Sequence, residues 1–586
     1  MPGTSTRLVA IVAVVVGMAV GAVFVLIPAA RTATLIGSRP AGPEVPRTAA
    51  AGHARWVAGE NAKPGTTDWQ ITGPVDHGNI EGYADTTSAV SGDTVRLFVS
   101  TDAATYRVDA YRMGWYGGTQ GRLVWRSPPQ TGFRQGPPSV DPLTNTVEAH
   151  WAPTLSITLD KAWPPGDYLL KLVGDNGYAQ FVPLAVRDDT SKAALVVVNA
   201  VTTWQAYNKW GGHSLYEGVD RLGATTPEAR SQIASFDRPY ANDSGAGDFL
   251  GNELPLVSLV EKSGYDVTYE TDIDVHRRGA LLTNHRAVLS LGHDEYWSAE
   301  MRAAVERARD AGVNVAFFGA NALYRAIRLA PSDLGDLRHE INYRIARDDP
   351  MTGVDNSRVT VGWREPPVNR PESSLVGDYY QCNPVKADMV VADPSAWVFA
   401  GTGLAAGDKL KDLVGPEYDR YDPSAPQPPG PVQVLTHSPL HCGGQASYSD
   451  MTWYTTASGA GVFATGSNWW ISRLNLTCVP SDSCLEQHAL RITLNVLDAF
   501  SLGPAGRSHP SVSNVSSLGE VRGTTPLDAG ERVVTTTTTP YTAPTTVGSR
   551  PSTSLARTTT TTTRPLHPPT SVPTLPSLPF PLTRPR

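Results

Sequence analysis

Cysteine is scarce: Cys382, Cys442, Cys478 and Cys484 are the only four in 586 residues. None precedes position 382, so the first half of the chain holds no thiol nucleophile. No C-x-x-C pair occurs, which argues against a cysteine metal site. An even number in an exported chain reads as disulfides. Cys478–Cys484 closes a short loop, which leaves Cys382–Cys442 as the other pair. Positive charge is also lacking: 49 Lys and Arg stand against 56 Asp and Glu, a net charge of -7. With no basic stripe there is no electrostatic footprint for nucleic acid. No G-x-S-x-G, H-E-x-x-H, Walker or Rossmann glycine signature occurs, which disfavours those chemistries.

What is present begins with Leu8 to Ala30, an apolar run free of charge between Arg7 and Arg31. It is long enough to span a bilayer, which takes about 20 residues. A single-pass anchor is favoured; the alternative is a cleaved signal segment, with Pro28-Ala29-Ala30 as a place for cleavage. Either way the bulk is expected outside the cell membrane, anchored or secreted. Residues 1–50 are thus anchor and linker. Residues 51–190 carry short strands with turn punctuation, which reads as a β-sandwich. Residues 191–502 alternate strands with helices, as in an α/β domain with a doubly wound parallel sheet. Strands are expected at 193–198, 265–269, 287–291, 313–318, 396–400, 432–436 and 461–465, with helices near 274–282, 298–310, 322–327 and 485–500. Residues 503–586 form a Thr/Pro-rich tail that buries too little apolar surface to order itself.

Gly292-His293-Asp294-Glu295-Tyr296-Trp297 lies between the strand Ala287–Leu291 and a helix capped by Ser298. Ligands bind at the carboxyl ends of strands in such sheets. About 55 residues, 199–254, follow the first strand, and so long a loop is usually functional. In a flavodoxin-like strand order, 2-1-3-4-5, these two loops meet at the switch point. Tyr207, Tyr240, His293 and Glu295 then converge. Phenol and carboxylate oxygens suit a hard trivalent cation. Glu295 could instead act as a metal-free general base with His293 as acid, or the acidic run could only cap the helix. Asn321, after the fourth strand, can reach the same crevice. Asp272-x-Asp274-x-His276 lacks the glycine and terminal glutamate of a calcium loop.

The motifs Thr203-Trp-Gln-Ala-Tyr-Asn208, Trp210-Gly-Gly212, Ser235-Phe-Asp-Arg-Pro-Tyr240, Gly264-Tyr-Asp-Val267 and Gly292-His-Asp-Glu-Tyr-Trp297 together resemble the C-terminal domain of the N,N-dimethylformamidase large (beta) subunit family. The resemblance covers roughly 190–502, and Tyr111-Arg-Met-Gly-Trp-Tyr-Gly-Gly118 resembles the sandwich that accompanies this domain in exported relatives. It implies a glutamine-amidotransferase-like sheet and a mononuclear iron (Fe3+) held by two tyrosines and one glutamate. Glu295 is then the carboxylate ligand, Tyr207 the first tyrosine and Tyr240 the second, with Tyr216 in reserve. His293 and Asp294 are the candidate catalytic pair, and Trp204, Asn208, Arg238 and Asn321 the candidate substrate contacts. The implied activity is hydrolysis of a small-molecule amide C–N bond, with a homo-oligomer as an expected assembly. The amidase also uses a small partner subunit, and nothing in this chain resembles one. An exported protein meets substrates other than dimethylformamide. The alternative is a non-catalytic protein that binds a glycan or the cell envelope and retains the fold.

Overall fold

The computed structural model describes residues 52–73, 78–476 and 486–519. The Leu8–Ala30 run, the linker, Cys478, Cys484 and everything from residue 520 lie outside the described residues. Among the described residues no helix is long and apolar enough to cross a membrane. Strands Ile80–Ala84, Thr94–Thr101 and Leu155–Thr158 form one sheet, and Ser88–Val90, Ala179–Arg187, Gly166–Gly174, Thr105–Met113 and Gly121–Arg126 line up in a second. Val95, Leu97 and Ile157 of the first share one core with Val108, Leu170 and Leu184 of the second. Two sheets facing one core make a sandwich.

A seven-stranded sheet follows. Its strands are β1 (Leu195–Asn199), β2 (Val267–Thr271), β3 (Ala287–Leu291), β4 (Asn314–Phe318), β5 (Val432–Cys442), β6 (Gln445–Thr455) and β7 (Gly461–Ala464). They lie in the order β2-β1-β3-β4-β7-β6-β5. β1 to β4 run parallel to one another, and β7 runs parallel to β4 but antiparallel to β6. β1 to β4 are buried at every residue, as strands covered on both faces must be. Alternate side chains serve two cores: Val196, Val198, Val288 and Val315 on one face, Val197, Leu289, Leu291 and Phe318 on the other. The helices that matter below are α1 (Val201–Tyr207), α2 (Leu254–Ser263), α3 (Asp272–Arg278), α4 (Ala299–Asp310) and α5 (Glu486–Ser501). Ser298 caps α4 by accepting the Met301 N–H at 3.1 Å.

The architecture is β-rich with mixed sheets and few helices, and it departs from the sequence expectation at several places. The sheet is not wholly parallel, because β5 and β6 form an antiparallel hairpin on its edge. Gly443 and Gly444 both have positive φ, as a tight hairpin turn needs. The Cys382–Cys442 disulfide ties the end of β5 to the strand Tyr379–Cys382. Residues 325–332 form a strand where a helix was expected near 322–327. Asn321 and Leu323 take positive φ and stop any helix there. At 396–400 a short 3-10 turn, Trp397–Phe399, replaces the expected strand. The first part of the low-complexity segment is stitched to the fold: Asn514 exchanges hydrogen bonds with Val434 N–H and C=O at 2.9 and 2.8 Å, and Ser511 bonds Thr455. A side-chain amide thus completes the open edge of β5, where an unpaired strand edge would otherwise be exposed.

Candidate active site

β1 and β3 are adjacent, so the loops that leave their carboxyl ends lie side by side. α1 starts two residues after β1. Thr203 and Tyr207 are four apart and share one helix face. Thr203 Oγ1 accepts the N–H groups of Glu295 and Tyr296 at 2.9 and 3.2 Å. Thr202 donates to the Tyr296 carbonyl at 2.8 Å. One short helix therefore holds the loop after β3 and points Tyr207 at it. That loop turns at Gly292, whose φ is +53; a Cβ there would meet the Asn252 carbonyl at 2.5 Å.

The Tyr207 hydroxyl donates to Glu295 Oε2 at 2.7 Å. Tyr216 reaches both oxygens of the same carboxylate at 2.7 Å. The two phenol oxygens lie 2.6 Å apart, and the rings stack with centroids 4.2 Å apart. Tyr216 arrives because the chain reverses after α1. Gly211 sits at φ +75, where a Cβ would meet Val147 Cγ1 at 2.4 Å. The Leu215 N–H then bonds the Ala206 carbonyl at 2.9 Å, which lays the returning chain on α1.

Beside this triad lies a second carboxylate, Glu417. His293 Nε2 sits 3.1 Å from Glu417 Oε2 and 3.3 Å from Glu295 Oε2. Glu417 also accepts Nδ2 of Asn383, Asn321 and Asn468 at 2.8, 2.9 and 3.0 Å. Asn321 Nδ2 lies 3.3 Å from His293 Nε2, and its Oδ1 is buried without a hydrogen-bond partner. Arg325 Nε is 3.7 Å from Glu295 Oε1.

Burial, then Glu295, holds both Tyr207 and Tyr216 well above the ordinary tyrosine pKa. Burial opposes charge on His293, but Glu417 and Glu295 outweigh it and raise the imidazole well above its usual value. Burial pushes Glu417 up, yet His293 and the amides of Asn383 and Asn321 bring it below the usual carboxylate range. His293 and Glu417 are thus a charged pair, while the phenols keep their protons unless a cation arrives.

Several residues singled out in the sequence lie elsewhere. The phenol that meets Glu295 beside Tyr207 is that of Tyr216, and Tyr240 lies apart from them. The Tyr240 ring packs edge-on against Trp204 at 6.2 Å and lines an apolar cavity between the sandwich and the seven-stranded sheet. The loop from α1 returns early, at Gly211-Gly212, so the nearer tyrosine is delivered. Asp294 is turned into its own loop, accepting Ser290 Oγ at 2.6 Å and Trp297 Nε1 at 2.7 Å. Burial pushes its pKa up to about 6. Neighbouring residues in an extended loop point to opposite sides, so Glu295 and Asp294 cannot both face the tyrosines. Trp204 donates to buried Glu253 at 3.0 Å. Asn208 spends its amide on Pro239 O, Trp210 N and Ala241 N. Arg238 clamps the carbonyls of Trp210, His213 and Asn208. These three shape the loop; Asn321 alone of the proposed substrate contacts stands in the cluster. Sequence reasoning missed Glu417. Its one local signal is Gly415-Pro416, which marks a turn but says nothing of the partner.

The donor set suits a hard cation: two phenols and a carboxylate with their oxygens within 2.7 Å of one another. Among the described residues no group of three or more His, Cys, Asp or Glu is placed to hold a metal ion. The triad falls outside that description because two of its donors are phenols.

Residues 107–484 match the family described as N,N-dimethylformamidase beta subunit-like, C-terminal. The N,N-dimethylformamidase beta subunit of Paracoccus aminophilus is 24% identical over 330 residues, 49% of this chain and 42% of that protein. The corresponding subunit from an Alcaligenes sp is 24% identical over 329 residues, with the same coverage of 49% and 42%. The chain thus matches less than half the length of these curated relatives. A cycloisomaltooligosaccharide glucanotransferase structure from Paenibacillus sp. aligns at 8% identity over 54% of this chain and 62% of that one, with a TM-score of 0.15, too low to carry an argument.

Proposed function

Because the chain belongs to the N,N-dimethylformamidase beta subunit-like, C-terminal family, we propose that it is an amidohydrolase-like protein whose Tyr207, Tyr216 and Glu295 hold a mononuclear iron. The observation that carries this reading is the convergence of two phenols on one buried carboxylate at 2.7 Å. The strand order β2-β1-β3-β4 supports the finer fold assignment, a doubly wound sheet of the glutamine-amidotransferase kind. Bound iron supplies a Lewis acid for an amide carbonyl. The chain's own groups supply the rest. His293, paired with Glu417, presents a proton at Nε2 for the departing amine nitrogen. Glu417, fixed by three asparagine amides, keeps that imidazole oriented. Asn321 Oδ1 offers an acceptor for a substrate N–H. The net reaction is amide plus water to carboxylic acid plus amine. Glu295 is buried and Tyr207 and Tyr216 are half-buried, which restricts access of bulk water and suits a small amide over a polymer.

The test is elemental analysis and absorption spectroscopy of the full-length protein. About one iron per chain and a visible phenolate-to-iron charge-transfer band are expected, both lost in Glu295→Gln. Protein that neither carries nor takes up iron, or that keeps it in Glu295→Gln, counts against the reading. An amide panel then asks for turnover, with His293→Gln expected to keep iron and lose about 10²–10⁴-fold in kcat.

A further inference from the structure

The two tyrosines of the cluster are not equivalent. Tyr207 is flanked by the His293 ring at 5.2 Å. Tyr216 instead carries a cation on its face: the Arg344 guanidinium carbon lies 3.9 Å from the ring centroid. The same guanidinium donates through Nη2 to the Tyr296 hydroxyl at 2.9 Å. The Tyr296 ring stands nearly edge-on to both tyrosines, 6.4 Å from Tyr207 and 6.3 Å from Tyr216. Arg344 therefore spans the one phenol and the aromatic ring that buttresses the pair.

Its backbone supplies an independent sign. Arg344 has φ +62, a left-handed conformation that side chains other than glycine and asparagine rarely take. The strain is enforced: Arg344 N–H bonds the Thr360 carbonyl at 2.9 Å and Tyr343 N–H bonds Thr360 Oγ1 at 2.9 Å. Asp349 in turn accepts both the Thr360 N–H and its hydroxyl, at 2.8 and 2.7 Å. Strain held by so many bonds marks a residue whose direction matters.

We propose that Arg344 is a positioning residue that orients the Tyr216 phenol toward Glu295 for cation binding, by stacking on its ring and bracing Tyr296. This rests on the metal-site reading above. A cation over a ring is worth most when the pair is desolvated, and it restrains the ring's rotation about its axis as well as its tilt. Tyr207 has the His293 ring beside it instead, so loss of Arg344 misplaces Tyr216, one donor of three.

The experiment uses full-length protein freed of metal and Tb3+ alone as the probe. Terbium is a hard trivalent ion that emits when an adjacent tyrosine is excited. Wild type is expected to give saturable sensitised emission. Arg344→Met is expected to fold with unchanged circular dichroism and to bind about tenfold more weakly, while Arg344→Lys, which restores a cation, recovers most of the loss. If Arg344→Met fails to fold, Arg344→Asn, which tolerates the left-handed backbone, takes its place. Wild-type affinity in the folded Met or Asn variant overturns the proposal, and so does a Lys variant no better than Met. Folded wild type without sensitised emission overturns the metal-site reading itself, and this inference with it.

Discussion

Glu295 receives a hydroxyl from each of two tyrosines, and that arrangement makes a sharp distinction between near neighbours. Tyr216→Phe removes one of the three converging oxygens, whereas Tyr240→Phe removes a hydroxyl lining an apolar cavity. Cation affinity is expected to fall at least tenfold in the first and to stay within twofold of wild type in the second, by titration with ferric ion or terbium. A different residue sets the response to pH. Glu270, on β2, is buried, and one of its oxygens, Oε2, has no hydrogen-bond partner. Burial, helped by Asp274, pushes its pKa up to about 8. An unfolded glutamate titrates near 4.3. Between those values the native state holds a proton that the unfolded state has released, so this contribution to stability falls as pH rises from about 4 to 8. Glu270→Gln removes the slope. The variant is expected to gain about 3–4 kcal/mol on wild type at pH 8.5 relative to pH 5, read by denaturant unfolding at the two pH values.

At the scale of the element, α1 is seven residues long and organises the site through two threonines and a tyrosine. An isolated helix this short is not stable, so its geometry is set by what it docks against. Thr203 is the joint. Thr203→Val keeps shape but leaves the buried N–H groups of Glu295 and Tyr296 without their acceptor. A loss of about 1–3 kcal/mol is expected in urea unfolding, with Thr203→Ser close to wild type. Near-continuous apolar runs made β1, β3 and β4 legible beforehand, because strands covered on both faces carry apolar residues at successive positions. The misread element, 325–332, shows the limit. Ala322, Leu323, Ala326 and Ile327 recur at helical spacing, but left-handed residues at 321 and 323 and pairing with Gly335–Ile341 override the pattern.

Across the whole molecule, the sandwich and the seven-stranded sheet are joined by a buried charge network. Arg112, in the Tyr-Arg-Met-Gly-Trp-Tyr motif, places both terminal nitrogens on Glu261 of α2 at 2.8 and 2.5 Å. Tyr269 of β2 and Asn61 complete the carboxylate at 2.5 and 2.7 Å. Neither Arg112 nor Glu261 has exposed side-chain surface. Breaking one partner strands the other charge, so Arg112→Met is expected to cost about 3–5 kcal/mol, and the double variant Arg112→Met/Glu261→Gln to recover part of it. Thermal melting followed by both near- and far-ultraviolet circular dichroism tests the coupling. The two parts are expected to unfold in one transition in wild type; two separated transitions would show that the network does not bind them.

The sequence by itself determined the β-sandwich pattern, the buried strands, the loop that carries Glu295 and the family. Each of these depends on local periodicity, turn chemistry or contiguous motifs, which a linear string records. Only the tertiary structure decided that a short helix carries Tyr207, that Tyr216 meets it at Glu295, that Asp294 turns inward, that Glu417 and Arg344 join the cluster from 122 and 49 residues beyond Glu295, and that 503–519 is stitched to a strand edge. Those outcomes depend on which remote oxygens and rings share one few-ångström volume. Side-chain direction and loop return set that volume, and neither leaves a periodic trace in the chain.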